Sequence, residues 1–70
     1  MKNNVLGKTI KELRVAQGLS QRQLGEKLDV CNQTVSFWEG GKREPDLDTL
    51  IKIADYFGVS VDFLLGKSDY

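Results

Sequence analysis

The sequence predicts an all-α domain built from five short helices. Apolar residues recur at spacings of three and four in successive segments, which is the period of an amphipathic helix. Glycine, proline or a capping residue marks the ends of these segments, and no segment alternates strictly between apolar and polar residues as a strand would. A chain of 70 residues has room for one hydrophobic core, so we expect a single domain over residues 1–70.

The first two helices are predicted from apolar spacing and end signals. Helix one is expected over residues 5–17, with Gly18 as its stop. Its inward positions are Leu6, Ile10, Leu13 and Ala16. Helix two opens at Ser20, which together with Gln23 has the S-x-x-Q pattern of a capping box. This helix extends to Leu28 and carries Leu24 and Leu28 on one face.

The third helix follows a break of only three residues. Residues 29–31 form this break, and the helix is expected over residues 32–39. Val35 and Trp38 should point inward from it. Residues 40–45 then contain two glycines and a proline, so a loop is predicted there.

The last two helices each follow a capping residue. Asp46 is the predicted N-cap of helix four, which Gly58 ends. The predicted inward stripe of helix four is Leu47, Leu50, Ile51, Ala54 and Phe57. Ser60 is expected to cap a short fifth helix closed by Gly66, with a frayed tail over residues 67–70. The apolar positions of helix five are Val61, Leu64 and Leu65.

Composition argues against several classes of protein. Cys31 is the sole cysteine and histidine is absent, so no internal disulfide, Cys/His metal site or cofactor is expected. No apolar run approaches the ~20 residues of a membrane helix, so a soluble protein of the cytoplasm is predicted. The formal net charge is zero, but a neutral chain can still present one basic face.

The segment over residues 21–39 has the spacing of a helix-turn-helix. Two helices of about eight residues are joined by a very short connection, which forces a sharp crossing and leaves the second helix protruding. Such a second helix fits the major groove of DNA. The spacing by itself is shared with many other helical hairpins.

The chain resembles the phage Cro/repressor (XRE-type) helix-turn-helix family over residues 6–66. The residues that carry the resemblance are Ile10-x-x-Leu-Arg14, Gly18-Leu-Ser-Gln21, Leu24, Leu28, Gln33-Thr-Val35-Ser, Trp38-Glu39-x-Gly41, Pro45, Leu50, Ile53-Ala54, Gly58-Val-Ser and Phe63-Leu-Leu65. The resemblance implies a five-helix, lambda-repressor-like DNA-binding domain. It also implies a sequence-specific transcription regulator, a repressor that binds a palindromic operator as a dimer, although activation is equally compatible with these residues.

Three positions depart from the family pattern. Gly25 stands where the family has a small alanine, which preserves a close approach of the two helices but costs about 1 kcal/mol of helix propensity. Asp29 stands where the family favours glycine, and we expect it to adopt a positive φ. Cys31 stands where serine or threonine often caps the recognition helix, so that cap is either weaker or supplied by Asn32.

Base-contacting residues are expected on the exposed face of helix three. The candidates are Asn32, Gln33, Ser36 and Phe37. Asparagine and glutamine can bond the adenine edge in a bidentate pair, and an outward phenylalanine can contact the thymine methyl group. The alternatives are a solvated polar face and, for Phe37, packing against a neighbouring loop.

Contacts with the DNA backbone are expected on both sides of this face. The candidates are Ser20, Gln21, Arg22, Thr34, Lys42 and Arg43. The start of helix two offers free N–H groups to a phosphate, and basic side chains position a protein on the duplex without reading its sequence. The alternatives are a capping role only at the helix start and a solvated turn at Lys42 and Arg43.

Two further features follow from the resemblance. It pairs Arg14 with Glu39 as a structural ion pair that fixes the angle of the recognition helix. The predicted dimer surface is the region Val59–Leu65, particularly Val59, Val61, Phe63 and Leu64. The alternative is that these residues only close the core of the monomer.

The alternatives to a DNA-binding regulator are a protein-binding module and an enzyme. The same fold can serve as an antitoxin or an adapter that binds another protein, and the neutral net charge mildly favours this alternative. An enzyme is not expected, because no catalytic constellation or phosphate-loop signature is visible and Cys31 has no histidine to activate it. Cys31 is therefore interpreted as a small turn residue.

Overall fold

A computed structural model describes residues 4–67, which form an all-α domain without a strand. Its five helices are α1 (Val5–Ala16), α2 (Gln21–Leu28), α3 (Asn32–Glu39), α4 (Leu47–Phe57) and α5 (Val61–Leu64). Each helix lies where the sequence predicts it, and their bounds differ from the predicted ones by about one residue. Residues 68–70 of the predicted tail lie outside the described residues.

Side-chain caps start three of the helices. Ser20 and Gln23 form the predicted capping box, in which each side chain accepts a hydrogen bond from the backbone N–H of the other residue. Asp46 and Ser60 each accept a bond from the N–H three residues further along. Hydrogen bonds from Thr49 lower the pKa of Asp46, so the carboxylate cap of α4 is present at neutral pH and is lost only on strong acidification.

One hydrophobic core receives side chains from all five helices. Its buried members are Leu6, Ile10, Leu24, Leu28, Val35, Trp38, Ile53, Ala54 and Leu64. Val35 and Trp38 belong to α3, as predicted, and their burial ties the recognition helix to the rest of the domain.

The buried face of α4 differs from the predicted stripe. Leu47 is 68% exposed and Ile51 is 45% exposed, whereas Ile53 is fully buried. Helix α4 contains two overlapping apolar patterns with helical spacing. The pattern that faces the core is not the predicted one but the set Leu50, Ile53, Ala54 and Phe57. Ala16, also predicted inward, is exposed because it lies in the last turn of α1, where the chain leaves the core.

The turn between α2 and α3 brings the two helices very close together. Asp29 adopts the left-handed conformation, with φ 62° and ψ 43°, which confirms the expected positive φ. The N–H of Val30 donates to the carbonyl oxygen of Gly25 at 2.8 Å. A Cβ at Gly25 would lie only 2.6 Å from the Val30 carbonyl oxygen, so a methyl group there would require the turn to move away from α2. Glycine therefore permits the close approach that directs α3 outward.

Candidate nucleic-acid interface

The outward face of α3 presents polar side chains. Asn32, Gln33 and Ser36 are exposed, and Phe37 is half-buried. With about 100° of rotation per residue, these four positions lie within one arc of the helix, opposite the buried Val35 and Trp38. We call this set (Asn32, Gln33, Ser36 and Phe37) the reading face. The structure thus brings together on one surface all four residues that the sequence suggested for base contact.

Phe37 is partly covered by the loop that follows α3. The Arg43 guanidinium carbon lies 5.4 Å from the centroid of the Phe37 ring, within the range of a cation–π contact. The backbone N–H of Lys42 donates to the Phe37 carbonyl oxygen at 2.9 Å. Phe37 therefore packs under the neighbouring loop while it keeps part of its ring exposed. Residues 40–45, called the basic loop here, are folded onto the last turn of α3.

The start of α3 lacks a side-chain cap. Cys31 is the N-cap residue, and its thiol makes no capping hydrogen bond. The thiol instead contacts the Thr34 hydroxyl at a Sγ–Oγ1 distance of 3.1 Å, and this hydrogen bond lowers the pKa of Cys31. Asn32 is the first residue of the helix and does not take over the cap position. The Thr34 hydroxyl is thereby engaged within the protein, and its side chain is half-buried.

A bidentate ion pair holds the end of α3 against α1. Arg14 Nε lies 2.6 Å from Glu39 Oε2, and Arg14 Nη2 donates to Glu39 Oε1 at 3.0 Å. Arg14 Nη1 also donates to the Leu19 carbonyl oxygen at 2.7 Å. The two side chains are only 11% and 5% exposed, and the bond to Glu39 raises the pKa of Arg14. The pair implied by the family resemblance is present and is almost fully desolvated.

Gln21 joins the same network. Its side-chain Nε2 donates to Glu39 Oε1 at 3.1 Å, so that one N–H of the amide is used inside the protein. The sequence suggested a phosphate contact or a role in capping, and the bond to Glu39 was not expected. The two residues are 18 positions apart in the sequence, and no local sequence pattern predicts a contact over that separation. A glutamine amide carries two N–H groups, and this bond uses one of them.

The other candidate backbone-contacting residues are exposed. Arg22 is in a loose ion pair with Glu26, with 3.8 Å between Nε and Oε2. Lys42 and Arg43 lie in the basic loop next to the reading face. Ser20 is occupied as the cap of α2, although a hydroxyl group that accepts one hydrogen bond can still donate another.

The region Val59–Leu65 is divided between core and surface. Leu64 is fully buried in the core of the chain, so its side chain does not form a dimer surface as predicted. Val59 and Val61 are half-buried and pack against the core. Phe63 is half-buried and is not among the residues that pack against it. The buried position of Leu64 follows from its place in the short α5, whose single inward turn covers the core.

Neither a metal site nor a membrane-spanning helix is present within residues 4–67. In this part of the chain, no group of three or more His, Cys, Asp or Glu side chains is placed to hold a metal ion. None of the helices there is both long enough and apolar enough to cross a lipid bilayer.

Comparison with known proteins identifies the family of the chain. The helix-turn-helix family profile matches residues 10–64, which is most of the chain. The chain is 44% identical over 64 residues to the HTH-type transcriptional regulator ImmR of Bacillus subtilis (strain 168), covering 91% of this chain and 50% of ImmR. It is 39% identical over 60 residues to the HTH-type transcriptional activator BcrR of Enterococcus faecalis, covering 86% of this chain and 29% of BcrR.

A third relative is named as a repressor. The chain is 32% identical over 60 residues to the cryptic phage CTXphi transcriptional repressor RstR of Vibrio cholerae, covering 86% of this chain and 54% of RstR. The chain spans about half the length of ImmR and RstR and less of BcrR. The profile match extends from the middle of α1 to the end of α5 and includes both helices of the α2–α3 hairpin. The chain therefore belongs to the XRE-type helix-turn-helix family of DNA-binding transcription regulators.

Proposed function

We propose that this chain binds double-stranded DNA in a sequence-specific manner, with α3 in the major groove, and represses transcription. The observation that carries the proposal is the reading face, a set of polar side chains and one aromatic ring on the exposed side of a helix whose other side is anchored in the core. Amide side chains such as those of Asn32 and Gln33 can bond adenine, and the half-buried ring of Phe37 can contact the thymine methyl group.

Contacts with phosphates would fix the register of the domain on the duplex. Lys42 and Arg43 are exposed in the basic loop, and the contact between Arg43 and Phe37 places one of these charges beside the reading face. The start of α2 offers backbone N–H groups to a phosphate, and the second N–H of the Gln21 amide is proposed to join them. Such contacts supply affinity that does not depend on the base sequence.

The proposed active form is a homodimer on a palindromic operator in the bacterial cytoplasm. One recognition helix reads only a few base pairs, so a useful specificity ratio needs two copies with half-sites about 34 Å apart. The exposed part of Val59–Leu65, with Phe63 at its centre, is the proposed contact between the copies. Repression follows when the operator overlaps a promoter, and RstR, a named repressor, is among the relatives.

An antitoxin or protein-binding adapter is the second candidate, and the zero formal net charge is the observation that favours it. The salt dependence of duplex binding distinguishes a DNA-binding regulator from an antitoxin or adapter. A chain that neutralises several phosphates loses affinity steeply between about 50 and 200 mM salt, because condensed counterions are released on binding. Weak binding that has no sequence preference and a shallow salt dependence would instead support the adapter and contradict DNA recognition.

Gln33→Ala is expected to change the base preference of the chain more than its affinity for non-specific DNA. Loss of a bidentate contact with a base costs about 1–3 kcal/mol of discrimination at that position. The measurement is selection of bound duplexes from a random pool by the variant and by the unsubstituted chain. Gln17→Ala, a matched change at an exposed residue after α1, should leave the preference unaltered. An unchanged preference in Gln33→Ala would remove Gln33 as a base reader.

Lys42→Ala is expected to weaken binding to all duplexes alike. Removal of one phosphate contact should flatten the plot of log affinity against log salt concentration by about one unit. Lys11→Ala removes the same charge from an exposed position on α1 and should have a much smaller effect on that slope. A loss confined to one base sequence would contradict a phosphate-contacting role for Lys42.

A further inference from the structure

Asn4 stands directly before α1 but does not cap it. Its backbone has the left-handed conformation, with φ 46° and ψ 36°, whereas the N-cap residues of the other helices are extended. Its side chain makes no hydrogen bond with the first turn of α1. Asn4 Nδ2 donates instead to the carbonyl oxygen of Glu39, the last residue of α3, at 3.0 Å. The amide therefore serves the end of another helix, 35 positions away.

This bond completes the hydrogen bonding of the last turn of α3. The last four carbonyl groups of a helix have no partner within that helix. Three of these groups in α3 accept from the backbone N–H groups of the loop that follows, namely Ser36 from Gly40, Phe37 from Lys42 and Trp38 from Gly41. The fourth, Glu39, accepts from Asn4. Asn4 thus satisfies the one carbonyl group of this turn that the loop does not.

Two glycines make the space that the Asn4 side chain occupies. A Cβ added to Gly7 would overlap the carbonyl oxygen of Trp38 and the Oδ1 atom of Asn4. A Cβ added to Gly41 would lie 2.9 Å from Asn4 Cγ, and Gly41 has a φ of +75°, which only glycine adopts readily. The amide is therefore held between α1 and the first residues of the basic loop.

We propose that Asn4 is a positioning residue for DNA recognition, a role that rests on the proposed function. Its amide fixes the backbone at the end of α3, while Arg14 and Gln21 hold the side chain of the same residue, Glu39. The bond also fixes the point from which the basic loop leaves the helix. The reading face and the charges of Lys42 and Arg43 therefore stay in a fixed arrangement relative to each other. A duplex must fit this arrangement with its bases and its phosphates at the same time.

Asn4→Asp is the most direct test, because it preserves the shape of the side chain and tolerance of the left-handed conformation but replaces the N–H donor with an oxygen. We expect the ratio of affinity for a selected duplex to affinity for a random duplex to fall about five-fold per bound chain. Asn4→Gly removes the side chain without adding charge and should give the same loss of the ratio. An effect of the added charge alone would weaken binding to both duplexes equally.

A stability-matched control separates positioning from folding. Ile53→Val shortens a buried side chain in the middle of α4 and should lower the Tm without changing the ratio. Amide hydrogen exchange without DNA provides a second readout, in which the protected N–H groups of Gly41 and Lys42 should exchange faster in Asn4→Asp and at the normal rate in Ile53→Val.

The two readouts also separate the failure of this proposal from that of the proposed function. If both Asn4 variants retain the ratio, the positioning role is overturned, whether or not exchange is faster. Unchanged exchange at Gly41 and Lys42 would show that Asn4 does not hold the end of α3. If the unsubstituted chain prefers no duplex, DNA recognition itself fails, and the exchange result still decides whether the contact constrains the loop.

Discussion

Glu39→Ala is expected to lower the free energy of unfolding by about 3 kcal/mol and to abolish selective binding to DNA. The substitution leaves the Arg14 guanidinium almost fully desolvated without its carboxylate partner, which is far more costly than loss of an exposed pair. It also removes the acceptor of the Gln21 amide. Chemical denaturation followed by circular dichroism measures the loss of stability. Duplex binding at a temperature where the variant remains folded measures the loss of selectivity.

Two variants serve as controls for this result. Glu39→Gln retains the shape and one acceptor oxygen, so it should be less harmful than alanine. Glu26→Ala breaks the ion pair with Arg22, whose side chains are 67% and 81% exposed, and should change stability by less than about 1 kcal/mol. Equal losses in Glu26→Ala and Glu39→Ala would contradict the claim that burial gives the Arg14–Glu39 pair its importance.

Trp38→Ala is expected to unfold much of the population. Truncation of a buried aromatic side chain costs about 3–5 kcal/mol, and a domain of this length has a total stability of only about 4–10 kcal/mol. Trp38 is 4% exposed and anchors the middle of the recognition helix to the core. The fraction of folded protein is measured by far-UV circular dichroism, which does not depend on the tryptophan that the variant lacks.

The neighbouring residue provides the matched comparison. Phe37→Ala removes a half-buried ring from the reading face of the same helix, so it should leave the fold largely intact and weaken duplex binding. The contact with Arg43 disappears in this variant as well. A larger loss of stability in Phe37→Ala than in Trp38→Ala would mean that the two rings are oriented in the opposite way, and the reading face would have to be redefined.

Local signals explain why the helices could be located from the sequence. Ser20, Asp46 and Ser60 each bond a backbone N–H three residues away, so the cap and its partner lie within one short stretch of chain. Asp29 was expected in the left-handed conformation because it stands where the family favours glycine, and aspartate tolerates a positive φ better than most residues. The inward orientation of Val35 and Trp38 followed from helical periodicity, together with the family position of Trp38.

Contacts between residues that are far apart in the sequence could not be predicted in the same way. On α4, two apolar patterns of equal spacing were available, and only packing against the other helices determines that Ile53 is buried while Leu47 is exposed. Gln21 and Asn4 each form a hydrogen bond with Glu39, which is far from them in the sequence. No periodic pattern of residues predicts either bond. The sequence left Leu64 open between a dimer surface and the core of the monomer, because an apolar residue near the end of a short helix can close a core or cover an interface equally well.

The most direct test of the central claim is selection of bound duplexes from random DNA by the purified chain, followed by sequencing. The proposed function predicts an enriched palindrome whose half-sites are about one helical turn apart, which would also supply the operator. A single short half-site would contradict the dimer while retaining base recognition by α3. Absence of any enriched sequence at low salt would contradict sequence-specific DNA binding and would turn attention to protein partners.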